Sequence, residues 1–410
     1  MRIGLLCPEP FGHGGIGTYS ANLSRALVEQ GHDVRVILPA SSTANAPLSR
    51  GLHLVPIAFP ERYRLPAFNR HWGLTMGLLP WARAAASALH RSHRQSPFEV
   101  IEVPEWMGSG LFLDPRRLPP VVVRLHTHLT LVRHLNDLPM NLDARLAAFL
   151  EARALRGAAM ILANSRALAD RLSADYEVPR DAIDVLPLGV DLARFEVASH
   201  GELKSQLGLP AHHVLGLFVG RIERRKGIET LIEAFQRAAD EVPYLHLAIA
   251  GSDTRTGRSG ASMRDDLQHR LRASGLANRV HWLGPVAHEK LPRIYAGSDW
   301  LVAPSRLEPF GLVYLEAMAT GRPVIAARSG GVPEIVTSGR EGILVAPDDP
   351  RELAEALIAL AVDPARVRRM GMRARARVEA AFDHRVLAER TVHLYRTAIA
   401  RAQGLARRSS

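Results

Sequence analysis

One continuous stretch, residues 305–336, places the strongest constraint on the fold of this chain of 410 residues. It follows the apolar run 300–304 and reads SRLEPFGLVYLEAMATGRPVIAARSGGVPEIV. The hydrophobic spacing after Gly311 predicts a helix that ends before Pro323, then a strand at 324–326 and a glycine turn into another short helix. Strand, loop, helix, strand, loop, helix is the repeating unit of a parallel α/β sheet.

The loop before the predicted helix is suited to an anionic ligand. The first N–H groups of a helix lack internal acceptors and carry partial positive charge, and Gly311 allows a ligand to approach the backbone closely. Glu308 precedes the helix and Glu316 lies inside it. Five helical residues rise roughly 7–8 Å, about the length of a diphosphate, so the two carboxylates can hold hydroxyl groups at both ends of a nucleotide sugar. From the spacing alone, two solvated acids on an ordinary strand–helix unit are an equal alternative.

The pattern E-P-F-G-L-V-Y-L-E, with GRPVIA and GGVPE after it, resembles the retaining GT-B glycosyltransferases of family 4, the glycogen-synthase/phosphatidylinositol-mannosyltransferase group. The resemblance covers nearly the whole chain. It implies an α/β fold of the GT-B type, with two facing Rossmann-like doubly wound domains and a ligand cleft between them. It also implies transfer of a hexose from a UDP- or GDP-linked sugar to a hydroxyl acceptor, which is a saccharide, a lipid-linked group or a small molecule, with retention at the anomeric carbon.

A second motif, G-R-x4-K-G at residues 220–227, places four cations at a predicted strand-to-helix turn. Such a group forms a ready anion site, although charge runs are more often solvated loops. In the resembled family the arginine and the lysine of this motif grip the diphosphate. We therefore predict that Arg221 and Lys226, rather than Arg224 and Arg225, bind the donor.

The resemblance assigns roles to further residues in the second half of the chain. Glu308 is expected to hold the hydroxyls of the donor sugar, and Glu316 those of the ribose. The base is expected to bind backbone groups that follow the predicted strand 280–286. The remaining expected donor contacts lie at that strand end and at the helix start: Gly284, Val286, Phe310, Gly311 and Leu312.

The first half opens with a predicted strand at residues 2–7, followed by a glycine-rich turn. A turn of this kind is a weak signal alone, because glycine serves any tight turn. Residues 12–17, GHGGIG, have the spacing of the GxGxxG fingerprint, but the acidic residue that a dinucleotide site places after the second strand is missing, which disfavours a dinucleotide-dependent dehydrogenase. In the resembled family this loop lies against the diphosphate and the donor sugar, which implies that role for Gly14 and Gly15.

His126 directly follows the predicted strand 121–125, at the sheet edge where ligands bind. The resemblance implies that His126 contacts the donor sugar near the reacting centre, and His128 is the weaker candidate. The spacing of His126, His128, His134 and Asp137 fits no metal-ligand pattern, so no metal is predicted. The catalytic set implied by the resemblance is therefore His126, Glu308, Arg221 and Lys226. The sequence does not choose between front-face attack and double displacement through a carboxylate nucleophile.

The predicted organisation has three parts. Residues 1–192 form an acceptor-side Rossmann-like domain, 193–384 form a nucleotide-sugar-binding Rossmann-like domain, and a helix at 385–410 crosses back to the first. No cofactor is expected besides the donor substrate. The single cysteine, Cys7, is expected to be a buried thiol, and a cytoplasmic location is the expectation from this cysteine and from a first strand without a signal-peptide pattern.

The formal charge of +11 raises the question of polyanionic partners. Nucleic acid is disfavoured because no basic stripe or aromatic platform accompanies the charge. The anionic inner face of a membrane, contacted peripherally, is the favoured polyanionic partner. The arginine-flanked segment 65–89 is a candidate for such contact, although ordinary core packing is the favoured interpretation. The oligomeric state is not fixed by the sequence.

Two alternatives compete with a glycosyltransferase. One is a nucleotide-sugar-binding or partner subunit that has lost catalysis, against which the intact set of predicted site residues argues. The other is a GT-B epimerase or phosphorylase. A pyridoxal-phosphate phosphorylase needs a Schiff-base lysine, and Lys290 is the one lysine in the second half outside the predicted site and Lys204.

Overall fold

A computed structural model describes residues 1–40, 50–57, 73–196, 202–257 and 260–409. The chain divides into two compact units, one formed by Met1–Gly189 together with His384–Ser410 and the other by Val190–Asp383. The predicted boundaries after residues 192 and 384 lie three residues and one residue beyond the observed divisions. The last helix belongs to the first unit, as its predicted return to the first domain requires.

The first unit is built on a seven-stranded parallel sheet in the order β3-β2-β1-β4-β5-β6-β7. Its central strands are buried and mostly apolar, as is usual when helices cover both faces of a parallel sheet, with Glu102 and Arg124 as buried charged residues. The strands are β1 Arg2–Leu6, β2 Asp33–Pro39, β3 Leu52–Ile57, β4 Val100–Pro104, β5 Val121–Leu125, β6 Met160–Ala163 and β7 Ile183–Val185. The helices are α1 Gly14–Glu29, α2 Gly73–Gln95, α3 Leu129–Leu135, α4 Leu142–Arg156, α5 Arg166–Tyr176 and, at the end of the chain, α14 His384–Ser409.

The second unit contains a six-stranded parallel sheet in the order β10-β9-β8-β11-β12-β13. The strands are β8 Val214–Val219, β9 Leu245–Ala250, β10 Val280–Gly284, β11 Trp300–Ala303, β12 Val324–Ala327 and β13 Gly342–Val345. The helices are α6 Glu202–Gln206, α7 Ile228–Glu241, α8 Met263–Ala273, α9 Leu291–Ala296, α10 Leu312–Ala319, α11 Val332–Ile335, α12 Pro350–Ala361 and α13 Pro364–Ala381. The buried side chains of β8, β9, α7 and α12 form much of its core.

Each sheet has one point where the strand order reverses. In the first unit this point lies between β1 and β4, and in the second it lies between β8 and β11. In open parallel sheets, ligands bind in the crevice at the carboxyl ends of the two strands that flank such a reversal. The loops after these strands are therefore where binding groups are expected, one set in each unit.

The structure confirms several predicted elements and corrects others. The strand predicted at 121–125 and the helices that the hydrophobic pattern predicts at 142–156 and 166–176 have the bounds observed for β5, α4 and α5. Gly14 and Gly15 were placed in a turn before the first helix, but both lie in the first turn of α1. Among the described residues of the segment 65–89, Leu78 and Trp81 are buried, which supports core packing, while residues 58–72 lie outside the described part. Cys7 is buried, as predicted. Over the described ranges, no helix has both the length and the apolar character needed to cross a membrane.

Candidate active site

The centre of the candidate site in the second unit is an ion pair between Lys226 and Glu308. Lys226 follows β8 and Glu308 follows β11, the two strands that flank the reversal of strand order. The Lys226 Nζ contacts Glu308 Oε2, and the Ser305 hydroxyl donates to the same oxygen at 3.2 Å. Both charged side chains are largely buried. The sequence placed these two residues at one ligand, and the structure brings them into direct contact.

Backbone and side-chain hydrogen bonds join three loops around this pair. The Arg306 N–H donates to the carbonyl of Arg225 at 3.0 Å, which ties the loop after β11 to the loop after β8. The Gly331 N–H donates to the Glu308 carbonyl at 2.9 Å, and the Ser329 hydroxyl donates to the Arg306 carbonyl at 2.7 Å. The loop after β12 is therefore fixed to the same group. The pair is held by mutually bonded loops.

Two glycines make this close packing possible. Gly227 caps α7 with a φ of 69°, and a Cβ there would lie 2.0 Å from the Pro304 carbonyl oxygen. Gly311 caps α10 with a φ of 99°, and a Cβ there would lie 2.4 Å from the Tyr314 ring. An L side chain at either position would be strained and would clash with its neighbour. The fold itself therefore requires glycine at both of these motif positions, independently of any ligand.

The ion pair changes the titration of both partners. Burial raises the pKa of Glu308, but Lys226 and Arg225 together outweigh burial, so the net pKa lies below its usual value. Burial also lowers the pKa of the Lys226 ammonium, and Glu308 opposes that change. The carboxylate therefore keeps its charge and supports the charge on the lysine.

The other cations of the predicted anion site differ in exposure. The Arg221 side chain is 62% exposed and lies 3.2 Å from Glu223, so it is accessible to a ligand. Arg225 is buried and donates to Glu223 at 2.8 Å. Arg224 lies 3.2 Å from Glu229. Arg225 was not selected from the sequence, yet it is the second cation that lowers the pKa of Glu308.

Helix α10 carries the second predicted carboxylate, Glu316, which is buried. The Tyr295 hydroxyl donates to Glu316 Oε2 at 2.7 Å, and His288 Nε2 lies 3.5 Å from Oε1. Phe310, just before the helix, packs its ring edge-on against Phe382 and is buried. A ligand can therefore meet only the backbone of Phe310, together with the first-turn N–H groups at Gly311 and Leu312.

The predicted base-binding residues follow β10. The Gly284 carbonyl accepts a hydrogen bond from the Gly251 N–H at 2.8 Å, and Gly284 has a φ of 69°. Val286 lies beyond the end of the strand, which stops at Gly284 rather than at the predicted residue 286. The same segment continues to His288, and α9 then carries Tyr295, so both partners of Glu316 come from the chain that follows β10.

In the first unit, the predicted glycines stand at the start of α1. Gly14 has a φ of 69°, and a Cβ at Gly15 would meet no atom within 4 Å. The Glu9 carboxylate accepts from the N–H groups of Ile16 at 2.8 Å and Gly17 at 3.0 Å. One carboxylate of the chain thus occupies the third and fourth N–H groups of the helix, while the first two belong to Gly14 and Gly15.

His126 lies next to this helix start, in the same unit. Its ring packs edge-on against Tyr19 with 5.2 Å between centroids, and both residues line a small cavity together with Arg124. Burial, assisted by the Arg124 cation, lowers the pKa of His126 to about 3. The imidazole is therefore neutral at physiological pH and can donate or accept a hydrogen bond without charge. His128 is fully buried and lies 2.6 Å from Asp175, which gives it a structural partner.

Two buried carboxylates hold the loop that carries His126. The His126 N–H donates to Glu105 Oε1 at 2.7 Å, and the Leu129 N–H donates to Glu151 Oε2 at 2.8 Å. Burial, with Glu151 nearby, raises the pKa of Glu105 to about 8, and burial raises the pKa of Glu151 to about 7. Neither residue was selected from the sequence.

Comparison with known proteins assigns the chain to a family. Residues 13–194 match the model described as glycosyltransferase family 4, and residues 200–377 match the model described as glycosyl transferases group 1. The D-inositol 3-phosphate glycosyltransferase of Actinosynnema mirum is 31% identical over 86% of this chain and 84% of its own length. The enzyme of the same name from Mycolicibacterium vanbaalenii is 30% identical over 87% and 80%. The chain is a family 4 glycosyltransferase.

Solved structures give the same fold for this glycosyltransferase. Sucrose-phosphate synthase from Thermosynechococcus elongatus superposes with a TM-score of 0.79 and 26% identity, over 97% of this chain and 99% of the other. Anabaena HepE, solved in complex with UDP and glucose, superposes with a TM-score of 0.76 and 22% identity, over 97% and 100%. The fold is GT-B, with two Rossmann-like domains, as the sequence predicted.

Sequence reasoning missed several residues of the glycosyltransferase that contact predicted site residues, lie beside them or influence their charge. These residues are Glu9, Glu105, Arg225, His288 and Tyr295. Arg225 stood inside a recognised motif and could have been chosen from its position beside Lys226. Glu9 lies at the start of the glycine-rich turn and could have been chosen from that position. The other three lie more than 20 residues in sequence from the residues that they contact, so no local pattern identifies them.

The part of the chain that the structure describes contains no group of three or more His, Cys, Asp or Glu side chains arranged to hold a metal ion. His126, His128, His134 and Asp137, weighed as metal ligands from the sequence, form no such group. That this glycosyltransferase needs no metal for activity stays a prediction, which an activity assay tests.

Proposed function

We propose that this glycosyltransferase moves a hexose from a nucleoside diphosphate sugar to a hydroxyl acceptor, with retention at the anomeric carbon. The contact between Lys226 and Glu308 carries the proposal. It places an ammonium and a carboxylate side by side at the reversal point of the second sheet. A nucleotide sugar needs both at its reacting end, a cation for the diphosphate and an acceptor for the sugar hydroxyls.

The chemistry breaks the bond between the anomeric carbon and the diphosphate oxygen, and it forms a bond from that carbon to the acceptor hydroxyl oxygen. Negative charge develops on the departing diphosphate. Groups held in place before the reaction stabilise such charge most effectively. Lys226, the exposed Arg221 and the first N–H groups of α10 are the groups that we assign to this task. The leaving phosphate oxygen is the expected acceptor for the proton of the acceptor hydroxyl.

In this assignment Glu308 holds hydroxyls of the donor sugar, and Glu316 holds those of the ribose. Protein cations supply the countercharge of the diphosphate, so we propose that turnover does not depend on a divalent metal. The roles of Gly14, Gly15 and His126 in the first unit stay predictions from the sequence. With a pKa of about 3, His126 is a weak base, so it is suited to hydrogen bonding with a sugar hydroxyl rather than to general-base catalysis.

One solved structure and two sequence relatives support this choice of substrates. HepE has been solved with UDP-glucose, and its fold resembles that of this chain at a TM-score of 0.72. The curated relatives at 30–31% identity are named for transfer to D-inositol 3-phosphate. UDP-glucose is therefore the first donor to test, with GDP-mannose beside it for the GDP-linked donors that the resemblance implies, and a phosphorylated cyclitol belongs among the first acceptors.

The deciding experiment has two stages. First, the melting temperature of the protein is measured with UDP, GDP and ADP, each with Mg²⁺ or with EDTA, because a ligand of the native state raises that temperature. One diphosphate is expected to stabilise the protein in both conditions, and it identifies the base of the donor. Second, the matching sugar nucleotide is incubated with an acceptor panel, and the anomeric configuration of the product is read by NMR.

Each outcome bears on the proposal. A glycoside with the configuration of the donor supports retaining transfer, and an inverted product contradicts retention. A sugar phosphate or an epimer would point to the phosphorylase or epimerase alternative. Stabilisation that occurs only with Mg²⁺ would contradict metal independence. Failure of all three diphosphates to stabilise the protein would favour a subunit that has lost catalysis.

A further inference from the structure

Helix α4 exposes large apolar side chains along one face. Leu142, Leu146 and Phe149 are 74%, 38% and 56% exposed. Their spacing of four and three residues aligns them on the same side of the helix. Leu138, just before the helix, is 47% exposed, and Met76 on the first turn of α2 is 54% exposed. Five of the eight large hydrophobic side chains found exposed in the described residues thus belong to these elements of the first unit.

The same face of α4 is cationic. Arg145, Arg153 and Arg156 are exposed and alternate with the apolar residues. Both acidic residues of the helix point inward: Asp143 is 4% exposed and Glu151 is 1% exposed. The outer face of α4 therefore combines three apolar side chains with three guanidinium groups and carries no carboxylate.

The inward acids have structural partners that explain this asymmetry. The Asp143 carboxylate accepts from the N–H groups of Leu74 at 2.8 Å and Thr75 at 2.9 Å, which caps the start of α2. Glu151 accepts from the Leu129 N–H. These bonds fix the rotation of α4 about its axis, so the apolar and cationic side chains are held outward together by the fold.

We propose that this face of α4 docks the protein onto the surface of an anionic phospholipid bilayer. A helix with an apolar face and flanking cations lies in the interface, with its apolar side chains among the lipid chains. Arginines near an anionic surface add attraction, and α4 offers no acid to oppose it. The charge complementarity commits the face to an anionic surface rather than a neutral one.

A second copy of the chain fits this face poorly. A two-fold symmetric contact places the same patch on both partners. The arginines of one α4 would then face those of the other without an intervening carboxylate, which is unfavourable. The docking proposal centres the membrane contact on α4 rather than on the segment 65–89, where Leu78 and Trp81 are buried and Met76 is exposed beside this face.

The test is co-sedimentation of the full chain with vesicles of phosphatidylcholine alone and of phosphatidylcholine mixed with phosphatidylglycerol. Binding is expected to the mixed vesicles, to weaken with added salt, and to be small with the neutral ones. Leu146→Asp with Phe149→Asp is expected to abolish it. Arg145→Gln with Arg153→Gln is expected to weaken it by roughly thirtyfold, from the usual attraction of two cations.

A matched control removes the same charge elsewhere. Arg368 and Arg373 are exposed on α13, in the second unit. Arg368→Gln with Arg373→Gln is expected to leave vesicle binding within about twofold of the wild type. All variants change exposed side chains, and their melting temperatures and circular dichroism should match the wild type.

Three results would overturn the proposal. Equal loss of binding in the α13 and α4 arginine variants would show that net charge alone attracts the vesicles. No binding of the wild type to mixed vesicles would exclude this docking directly. An oligomer of the wild type in sedimentation velocity that Leu146→Asp with Phe149→Asp dissociates would assign the face to a protein contact. None of these results depends on the donor or acceptor, so they are independent of the proposed activity.

Discussion

Two buried carboxyl groups occupy corresponding places in the two sheets, and their pKa values are shifted in opposite directions. Glu105 follows β4 and Glu308 follows β11, and each of these strands flanks the reversal point of its sheet. Lys226 and Arg225 hold the pKa of Glu308 below its usual value despite burial. Burial and the nearby Glu151 raise the pKa of Glu105 to about 8. The position in the fold is shared, and the nearest charge decides the protonation state.

The difference separates two uses of a buried acid. Glu308 is kept ionised next to an ammonium, in a group of loops suited to an anionic donor. Glu105 accepts the N–H of His126, and its charge has no compensating cation. The first arrangement favours electrostatic work on a ligand. The second favours holding a backbone in place, and it carries a cost in stability when the acid ionises.

The largest expected effect is the loss of the ammonium in the second unit. Lys226→Ala should lower turnover by roughly tenfold or more, because it removes a charge-assisted contact to the developing charge and leaves Glu308 buried without its nearest cation. Arg224→Ala, in the same loop, is the matched control and should stay within about twofold. Steady-state kinetics with circular dichroism checks both. Wild-type turnover by a folded Lys226→Ala protein would refute the assignment.

Glu308→Gln should lower turnover by about tenfold and also change its pH dependence. Glu308 raises the pKa of Lys226, so its removal leaves burial less opposed and the lysine loses its proton at a lower pH. The alkaline limb of kcat/KM should therefore move to lower pH. Ser305→Ala removes a neutral hydrogen bond to the same oxygen and should leave that limb in place. If the limb does not move in Glu308→Gln, the pair does not control Lys226 in the working enzyme.

Glu105→Gln tests the other half of the comparison through stability. In the folded chain Glu105 keeps its proton up to about pH 8, whereas an unperturbed glutamate loses it near 4.5. The folded state thus binds more protons between these values, and its stability falls as the pH rises through them. The glutamine variant lacks this loss. Its melting temperature relative to wild type should rise by roughly 6–12 °C between pH 5.5 and 8.5, because about 3 kcal/mol of linkage acts at about 2–4 °C per kcal/mol.

The control for this measurement is Glu389→Gln, which changes an exposed glutamate of α14 in the same unit. Its difference from wild type should not vary over the same pH range. The pKa of Glu151 is also raised, and Glu151 remains in Glu105→Gln. The variant therefore keeps part of the fall of stability with rising pH. A difference between Glu105→Gln and wild type that is constant with pH would mean that Glu105 is ionised throughout.

The sequence predicted the part of this comparison that lies in continuous motifs. Lys226 and Glu308 stand in G-R-x4-K-G and E-P-F-G, whose glycines the fold requires at Gly227 and Gly311. Strands and helices followed from hydrophobic period, and the bounds of β5, α4 and α5 agree with the prediction. Local patterns of this kind can be recognised because strand, turn and cap constraints act within a few residues.

The remaining part depends on contacts between distant segments. Glu105 lies 21 residues from His126, and nothing in the sequence around either residue predicts the bond between them. The sequence did not predict the exposed face of α4 either, because the hydrogen bonds from α2 to Asp143 determine which side of the helix faces outward. The amphipathic pattern predicted the helix but not which of its polar residues would be buried.

The smallest expected effect concerns another contact between distant segments, the hydrogen bond from Tyr295 to Glu316. Tyr295→Phe removes a hydroxyl that donates to a buried carboxylate at 2.7 Å. If Glu316 holds the ribose, its loss of orientation should raise KM for the donor by about fivefold, the usual worth of one hydrogen bond near 1 kcal/mol, with kcat nearly unchanged. His288→Ala is the companion variant on the other oxygen of Glu316. A fall in kcat with an unchanged KM would place Glu316 at the reacting centre instead, and would make it, rather than Glu308, the carboxylate to compare with Glu105.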